Sequence, residues 1–457
     1  MMDTILGNKP SSFLKSISVL IGGAVVAQVI MAIALPITSR LYSPDDFSAL
    51  SVFTGLVSII SVAACLRLDV AVSLPQRDDD AVNILGLALI CALVISIVLA
   101  ISVIILPEQI ATFLNQPQLL KYLWLLPIAV MITSTYSALQ MWFIRKKAFA
   151  SISKTRVFQS CAGAGSQIGL GWLGWAPFGL ILGQTLNSGA GCVGLGYRLF
   201  CKDRGLLKTI NWARMRAVFN TYDQFAKYST FEAMSNSAAI YLPVMMIAAI
   251  ANGPEAGYLT MAMFAMQAPL GLIGTAVSQV YLSRAPDEHR AENLDLFTTN
   301  IIGGLVKSGV GPLMFAGIVA PSLFSIIFGG GWERAGVLVA WMTPWFIMQF
   351  LSSTISMALH VTGNQKSALY LQLFGLFLRT GVVYLASITY ATYISEAYAI
   401  SGFVFYSAYF IMVLRVVKIK WTDLSREAYK SFYVVFLWAI LGCVTALTVD
   451  KLCALIS

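Results

Sequence analysis

Apolar residues in this chain occur in long runs, which are separated by short clusters of charged residues, proline and glycine. A helix of about 20 apolar residues crosses a hydrocarbon layer about 30 Å thick, and most of the runs are long enough to do so. Twelve runs lie near positions 16–37, 48–66, 82–106, 119–144, 157–175, 177–198, 231–251, 257–282, 298–328, 335–360, 366–392 and 395–416. One further run lies near 432–456. The pattern predicts an all-α polytopic membrane protein with 12 transmembrane helices and a 13th, C-terminal membrane helix.

A polar gap near 202–227 divides the twelve runs into two groups of six. Within this gap, apolar residues such as Leu206 and Trp212 are interspersed with basic residues such as Arg214, a mixture typical of a helix in the membrane interface. We therefore predict four segments. They are an N-terminal six-helix lobe at 1–198, a cytoplasmic amphipathic linker at 199–230, a C-terminal six-helix lobe at 231–417, and a basic loop with an additional membrane helix at 418–457.

Lys and Arg are distributed unevenly between alternate loops, and cytoplasmic loops of membrane proteins retain positive charge. Most of the 30 Lys and Arg residues fall on the side of the N-terminus, which we therefore place in the cytoplasm. The exceptions are Arg40, Lys121, Arg334 and Lys451 in the opposite loops, and Lys307 and Arg379 within runs. The first run is too long for a signal peptide and lacks a small-residue cleavage site, so we expect a retained first helix.

Composition supports the membrane assignment and argues against a nucleic-acid-binding protein or an enzyme. The chain is 58% hydrophobic and 11% charged, with a mean hydropathy of +0.78, whereas soluble domains are about 25% charged. The net charge of +9 follows from the loop distribution and suits anionic lipid headgroups rather than nucleic acid. The 7 cysteines are scattered, and no phosphate-binding loop, two-histidine metal motif or nucleophile elbow is present. We expect a protein that is not an enzyme and needs no cofactor or metal.

Charges within membrane runs are informative because each costs roughly 2.5–3.5 kcal/mol at mid-membrane. Lys307, Arg379 and Glu232 each lie in a stripe of small and polar residues at helical spacing. The three stripes are Asn300, Gly303, Gly304, Lys307, Ser308 and Gly311; Gln365, Gln372, Gly375 and Arg379; and Tyr228, Glu232, Ser235, Asn236, Ala239 and Pro243. Such stripes either let helices pack closely or line a cavity. For the two cations we favour the cavity, and a cationic lumen suits an anionic cargo.

Several short motifs resemble those of bacterial polysaccharide repeat-unit flippases, the Wzx-type O-antigen translocases of the multidrug, oligosaccharidyl-lipid and polysaccharide exporter superfamily. The likeness covers nearly the whole chain, although Ser48 stands where a glycine is usual. The motifs are Arg40-Leu41-Tyr42 with Pro44-Asp45-Asp46-Phe47, Arg67-Leu68-Asp69-Val70-Ala71, Gly179-Leu180-Ile181-Leu182-Gly183-Gln184, and Glu396-Ala397-Tyr398-Ala399.

The resemblance implies two six-helix lobes around a central cavity in the bacterial inner membrane. The cargo would be an undecaprenyl-pyrophosphate-linked oligosaccharide, moved from the cytoplasmic to the periplasmic face by alternating access and an ion gradient, often of protons. A polysaccharide polymerase and a chain-length regulator are candidate partners. The candidate substrate-binding residues are Arg40, Arg67, Lys307 and Arg379. The candidate ion-coupling residues are Asp69 and Glu232.

Two alternatives remain open within the same superfamily. A multidrug or cation antiporter would favour acidic residues in its cavity, and the intramembrane pair Lys307 and Arg379 argues against it. A flippase for the peptidoglycan lipid precursor usually has fourteen spans. For Arg67, a snorkelling side chain with a local partner is an alternative to a cargo contact.

Overall fold

The computed structural model describes residues 12–251 and 254–456, which form helices and turns without a β-strand. The helices are α1 (Ser12–Leu41), α2 (Pro44–Ala64), α3 (Leu68–Ala71), α4 (Asp78–Ile105), α5 (Pro107–Phe113), α6 (Leu125–Arg145), α7 (Phe149–Trp172), α8 (Phe178–Gly189), α9 (Gly191–Lys202), α10 (Arg204–Leu207), α11 (Trp212–Gln224), α12 (Thr230–Ile250), α13 (Glu255–Arg290), α14 (Leu294–Leu305), α15 (Gly311–Phe328), α16 (Glu333–Thr354), α17 (Ala358–Val361), α18 (Gln365–Thr389), α19 (Ile394–Val417) and α20 (Trp421–Ile456).

Ten helical segments of the described chain are long and apolar enough to cross a membrane. The all-α polytopic class is therefore confirmed, whereas the count of twelve helices plus one stays a prediction. The predicted run 157–175 falls in α7, whose many small and polar residues lower its hydropathy, and α8 and α9 have only 12 residues each. The predicted C-terminal membrane helix corresponds to α20, and only 6% of the residues in its most apolar stretch are buried.

The chain forms two compact units. The first contains the described residues up to Ala34 and residues 53–237, and the second contains residues 35–52 and those from Ala238 onward. Three helices, α1, α2 and α12, therefore each contribute residues to both units.

Close helix contacts in the first unit depend on glycine. A Cβ added at Gly183 in α8 would lie 2.4 Å from Cγ of Gln167 and 2.7 Å from the carbonyl oxygen of Gly163, both in α7. Small residues at such crossings let helix backbones approach closely. Gly183, one of the motif residues above, thus has a packing role in this unit.

The predicted amphipathic linker packs on α4 of the first unit. Asn83 is fully buried, and its Nδ2 donates to the carbonyl oxygens of Asp79 and Thr209. Its Oδ1 accepts from the backbone N–H of Asn211, which caps α11. One buried amide therefore satisfies backbone groups on both sides of the contact.

In the second unit, the motif between α1 and α2 forms a helix start and a packing anchor. The Ser43 N–H and hydroxyl donate to the Asp46 carboxylate at 2.8 Å, and the Asp46 N–H is 3.3 Å from the Ser43 hydroxyl. This reciprocal cap precedes Phe47, whose ring meets the edge of Trp332 at a centroid distance of 5.0 Å. A Cβ at Gly257 would lie 1.8 Å from the Pro44 carbonyl oxygen, so only glycine permits this approach.

The C-terminal helix α20 packs along α14 and α15. A Cβ at Gly303 would lie 3.0 Å from Oε2 of Glu427, and a Cβ at Gly311 would lie 2.3 Å from the indole of Trp438. Two glycines of the predicted small and polar stripe therefore serve helix packing, the first of the two interpretations of such stripes.

Candidate functional site

Lys307 lies near the middle of the helical segment 294–328, one of the ten apolar segments. A wide π-type turn at Val306–Val310 joins α14 to α15 here, and Pro312, which cannot donate a backbone hydrogen bond, follows it. The side chain of Lys307 is exposed, and it takes part in none of the ion pairs found among the described residues. An exposed cation at this depth needs a polar environment, because hydrocarbon would not solvate it.

Polar neighbours share the exposed face of Lys307. Asn300 and Ser308 are exposed, and the Ser308 hydroxyl donates to the carbonyl oxygen of Gly304 at 2.8 Å. We define the exposed polar stripe as the exposed residues Asn300, Lys307 and Ser308 together with the half-buried Gly304. Because Gly303 and Gly311 pack against α20, the sequence stripe divides into a packing side and an exposed polar side.

Arg379 has the opposite environment, since it is only 1% exposed. Its guanidinium carbon lies 5.4 Å from the ring centroid of Trp345, 4.5 Å from that of Phe405 and 5.1 Å from that of Tyr406. Desolvated contacts between a cation and a ring contribute about 2 kcal/mol each and offset part of the cost of burial. Nε and Nη2 have no hydrogen-bond partner among the described residues. The aromatic cage of Trp345, Phe405 and Tyr406 therefore takes the place of a carboxylate.

Two glycines allow this aromatic cage to form. A Cβ at Gly375, one turn before Arg379 in α18, would lie 2.4 Å from the Phe405 ring. A Cβ at Gly402 in α19 would lie 2.4 Å from the Trp345 ring. The predicted stripe of α18 thus encloses its cation inside the second unit.

The third nitrogen of the Arg379 guanidinium, Nη1, contacts α12. Nη1 donates to the carbonyl oxygen of Ala239 at 3.2 Å, and the hydroxyl of Tyr398 donates to the carbonyl oxygen of Ile240 at 3.2 Å. Both acceptors precede Pro243, which the sequence placed in the same stripe as Glu232. The structure therefore brings Arg379 to the turn of α12 that precedes Pro243, and no described contact joins Arg379 to Lys307.

A second charged cluster was not predicted as a site. Arg334 pairs with Glu255 at 2.8 Å and with Glu396 at 2.6 Å, which links the first turns of α13, α16 and α19. Glu396 is 5% exposed, and its Oε2 has no described partner. The two carboxylates outnumber the one cation in these first turns. The extra negative charge is stabilised there, because the N-terminal end of a helix carries a partial positive charge. The Glu396 and Tyr398 of the last sequence motif are thus both anchoring residues.

In the first unit, Asp69 is buried at 5% exposure and accepts a hydrogen bond from the Ser137 hydroxyl at 2.8 Å. Its other oxygen, Oδ1, and Nε of the neighbouring Arg67 have no partner among the residues that the structure describes. Leu66 and Arg67 both have positive φ, which turns the chain sharply between α2 and α3. A buried carboxylate oxygen without a partner is still able to accept a hydrogen bond or to contact a cation.

The two other predicted residues lie apart from these groups. Arg40 is exposed, and its Nη2 donates to the carbonyl oxygens of Ile326 and Ile327 at the C-terminal end of α15. A cation stabilises this end of a helix, where carbonyl groups lack partners. Glu232 is exposed on α12, in the part that belongs to the first unit.

Sequence reasoning missed a small polar cavity in the first unit. It has a volume of about 50 Å³ and is lined by residues of α2, α6 and α8, among them Thr54, Thr133 and Gln184. The hydroxyls of Thr54 and Thr133 are buried without a described partner. The volume accommodates water, which would satisfy both groups. The only sequence signal was Gln184, the last residue of its motif.

The fold is similar to that of several solved transporters. A lipid II flippase, MurJ, in an inward closed conformation shares 13% identity over 96% of this chain and 97% of its own, with a TM-score of 0.70. An inward-facing multidrug resistance transporter of the MATE family, in the MOP superfamily, shares 14% identity over 89% and 98%, with a TM-score of 0.58. A MOP superfamily transporter from Pyrococcus furiosus shares 14% identity over 89% and 97%, with a TM-score of 0.56.

Sequence comparison places the chain in a family. No curated protein matches it in a direct sequence search. The model of one family, described as polysaccharide biosynthesis protein, matches residues 37–336, which is more than half of the chain. This stretch contains Arg67, Asp69 and Lys307, while Arg379 lies beyond it. The chain is a multi-pass membrane protein with the fold of MOP superfamily transporters, and it belongs to the polysaccharide biosynthesis protein family.

Proposed function

We propose that this protein flips undecaprenyl-pyrophosphate-linked oligosaccharide repeat units, of O-antigen, capsule or exopolysaccharide, from the cytoplasmic to the periplasmic face of the bacterial inner membrane. Membership of the polysaccharide biosynthesis family and the fold shared with a lipid II flippase support this proposal. The observation that carries it is Lys307, an exposed cation in the middle of an apolar membrane segment.

The chemistry of Lys307 suits a pyrophosphate headgroup. An ammonium group and a phosphate form a charge-assisted hydrogen bond, and each offsets the desolvation of the other. Asn300 and Ser308 on the same exposed face offer neutral hydrogen-bonding groups of the kind that sugar hydroxyls need. The exposed polar stripe therefore suits a cargo with a charged phosphate and a polar glycan.

The other residues of the proposal have separate roles. Arg67 and Arg40 are proposed to contact phosphates or acidic sugars, and Asp69 and Glu232 are proposed to couple the movement to an ion gradient. Moving one charge through 100 mV contributes about 2.3 kcal/mol, enough to bias an alternating-access cycle. In this proposal the N-terminus is cytoplasmic, and a polymerase and a chain-length regulator act on the flipped product.

The test uses a strain that lacks the gene and expresses single variants at equal membrane abundance. Lys307→Met is expected to reduce surface polysaccharide and to cause lipid-linked repeat units to accumulate in the membrane fraction. Lys307→Arg keeps the charge and should retain most of the polymer. Lys366→Met, which removes an exposed cation at the start of α18, is the matched control. Normal polymer with Lys307→Met would contradict the proposal.

The peptidoglycan lipid precursor is a second candidate cargo, favoured by the TM-score of 0.70 over 96% of the chain with a lipid II flippase. Both cargoes carry a pyrophosphate, so Lys307 does not separate them. Depletion of the protein separates them, because loss of precursor flipping causes lysis, whereas loss of repeat-unit flipping leaves the cells viable and without surface polymer. A cation antiporter would instead change drug susceptibility and leave the polymer intact.

A further inference from the structure

One backbone carbonyl of α12 has lost its helical donor. In an α-helix each carbonyl oxygen accepts from the N–H four residues later, and position 243, which should serve Ala239, is proline. Ala239 is 2% exposed, so water does not replace the missing bond. An unsatisfied buried carbonyl is unfavourable, and this site therefore needs another donor.

Arg379 supplies that donor from α18. Its Nη1 lies 3.2 Å from the Ala239 oxygen, and the Tyr398 hydroxyl from α19 lies 3.2 Å from the next carbonyl oxygen, that of Ile240. Two side chains from different helices thus bind consecutive carbonyls of the proline-interrupted turn. Because the three rings of the aromatic cage pack against the guanidinium, the donor has little room to move.

The interrupted turn lies where the chain leaves one compact unit for the other. The last segment of the first unit ends at Ser237, and the last segment of the second unit starts at Ala238, one residue before the carbonyl that Arg379 binds. A proline inside a helix allows the helix to bend at the preceding turn, where one hydrogen bond is absent. The contact of Arg379 therefore fixes the first turn of α12 that belongs to the second unit.

We propose that Arg379 is a positioning residue that replaces the hydrogen bond lost at Pro243 and holds the interrupted turn of α12 in place. Its charge serves the protein's own backbone and not the cargo. The transport part of this inference rests on the proposed function, whereas the structural part does not.

The decisive experiment restores the missing N–H by a second substitution. In Arg379→Met the Ala239 carbonyl loses its donor, while in the double variant Arg379→Met, Pro243→Ala the N–H of residue 243 can serve it again. Hydrogen exchange is measured on the full chain in nanodiscs of phosphatidylethanolamine and phosphatidylglycerol. Amides of residues 238–248 should exchange about tenfold faster or more in the single variant, since a hydrogen bond to a charged group contributes about that factor. They should return to the wild-type rate in the double variant.

Pro321→Ala provides the matched control, because Pro321 lies inside α15 and also interrupts a helix of the second unit. Combined with Arg379→Met, it should leave the fast exchange unchanged. Arg379→Lys, which keeps a charged donor, should lie between Arg379→Met and the wild type. Unchanged exchange in Arg379→Met, or no recovery with Pro243→Ala, would overturn the proposal.

Surface polysaccharide in the same strains gives the functional readout. It should fall with Arg379→Met and recover with the added Pro243→Ala, an outcome that a lost cargo contact cannot produce. Failure of recovery together with normal exchange would assign Arg379 to the cargo and overturn the positioning role. If deletion of the gene leaves the polymer unchanged, the proposed function fails, and the exchange rates still decide the role of Arg379.

Discussion

Gly402 in α19 offers a sharp test of the packing around Arg379. A Cβ added there would lie 2.4, 2.6 and 2.8 Å from three atoms of the Trp345 indole. Ordinary contacts begin at 3.4 Å, so Gly402→Ala requires the ring to move by about 1 Å. Trp345 is 2% exposed and meets Tyr398 edge-on at 5.1 Å, which leaves it little room to move.

The expected cost follows from this geometry. Forcing one extra carbon into a packed interior destabilises a protein by about 1–3 kcal/mol. Replacing a helical glycine with alanine alone would stabilise by about 0.5–1 kcal/mol, because alanine loses less backbone entropy. Gly381 in α18 provides the matched control, since no atom lies within 4 Å of an added Cβ there. Gly402→Ala should therefore lower the stability, whereas Gly381→Ala should not.

Thermal unfolding in detergent, followed by the loss of monodisperse protein on size exclusion, measures both variants. Gly402→Ala should lower the apparent melting temperature by several degrees, while Gly381→Ala should leave it unchanged or raise it slightly. The intrinsic tryptophan fluorescence, to which Trp345 contributes, should change with Gly402→Ala only. Equal melting temperatures for the two variants would refute the reasoning, because they would show that the ring is free to move.

Three further outcomes follow from the other contacts. Asn83→Leu should accelerate tryptic cleavage of the linker, because the Thr209 carbonyl and the Asn211 N–H lose a buried partner, each at a cost of about 1–3 kcal/mol. An unchanged cleavage rate would show that the amide does not hold the linker. Arg334→Gln should lower the melting temperature, since it leaves the buried Glu396 without a cation, and the additional Glu396→Gln should recover part of the loss. Asp69→Asn should keep the fold, because the amide oxygen still accepts from the Ser137 hydroxyl. The variant should remove the dependence of polysaccharide export on the ion gradient. Gradient-dependent export by this variant would exclude Asp69 from coupling.

The short motifs that suggested a flippase family have structural roles in this chain. Asp46 caps a helix, Phe47 packs on Trp332, Gly183 permits a close helix crossing, and Glu396 forms an ion pair. These four motif residues therefore stabilise the fold, whereas Lys307, the cation on which the proposed function rests, lies outside the motifs.

The amino-acid sequence by itself determined the membrane class, the positions of most helices and the loops that carry positive charge. The physical reason is that a hydrocarbon layer requires long apolar helices and excludes unpaired charges. The apolar runs and the positions of the charges can therefore both be read from the sequence. The same reasoning found Lys307, because a charge inside an apolar run is visible without knowing any neighbour.

Only the tertiary structure decided what each charge contacts. Helical periodicity places Arg379 and Lys307 on stripes of the same kind, yet one is enclosed by aromatic rings and the other is exposed. The difference depends on which helix faces each stripe. The absence of a Cβ at Gly375 and Gly402 leaves room for the rings that pack around Arg379. No described helix covers Lys307, which is exposed. Likewise, Pro243 shows in the sequence that the Ala239 carbonyl lacks its helical donor. The residue that supplies a donor, Arg379, lies 140 positions away in the sequence.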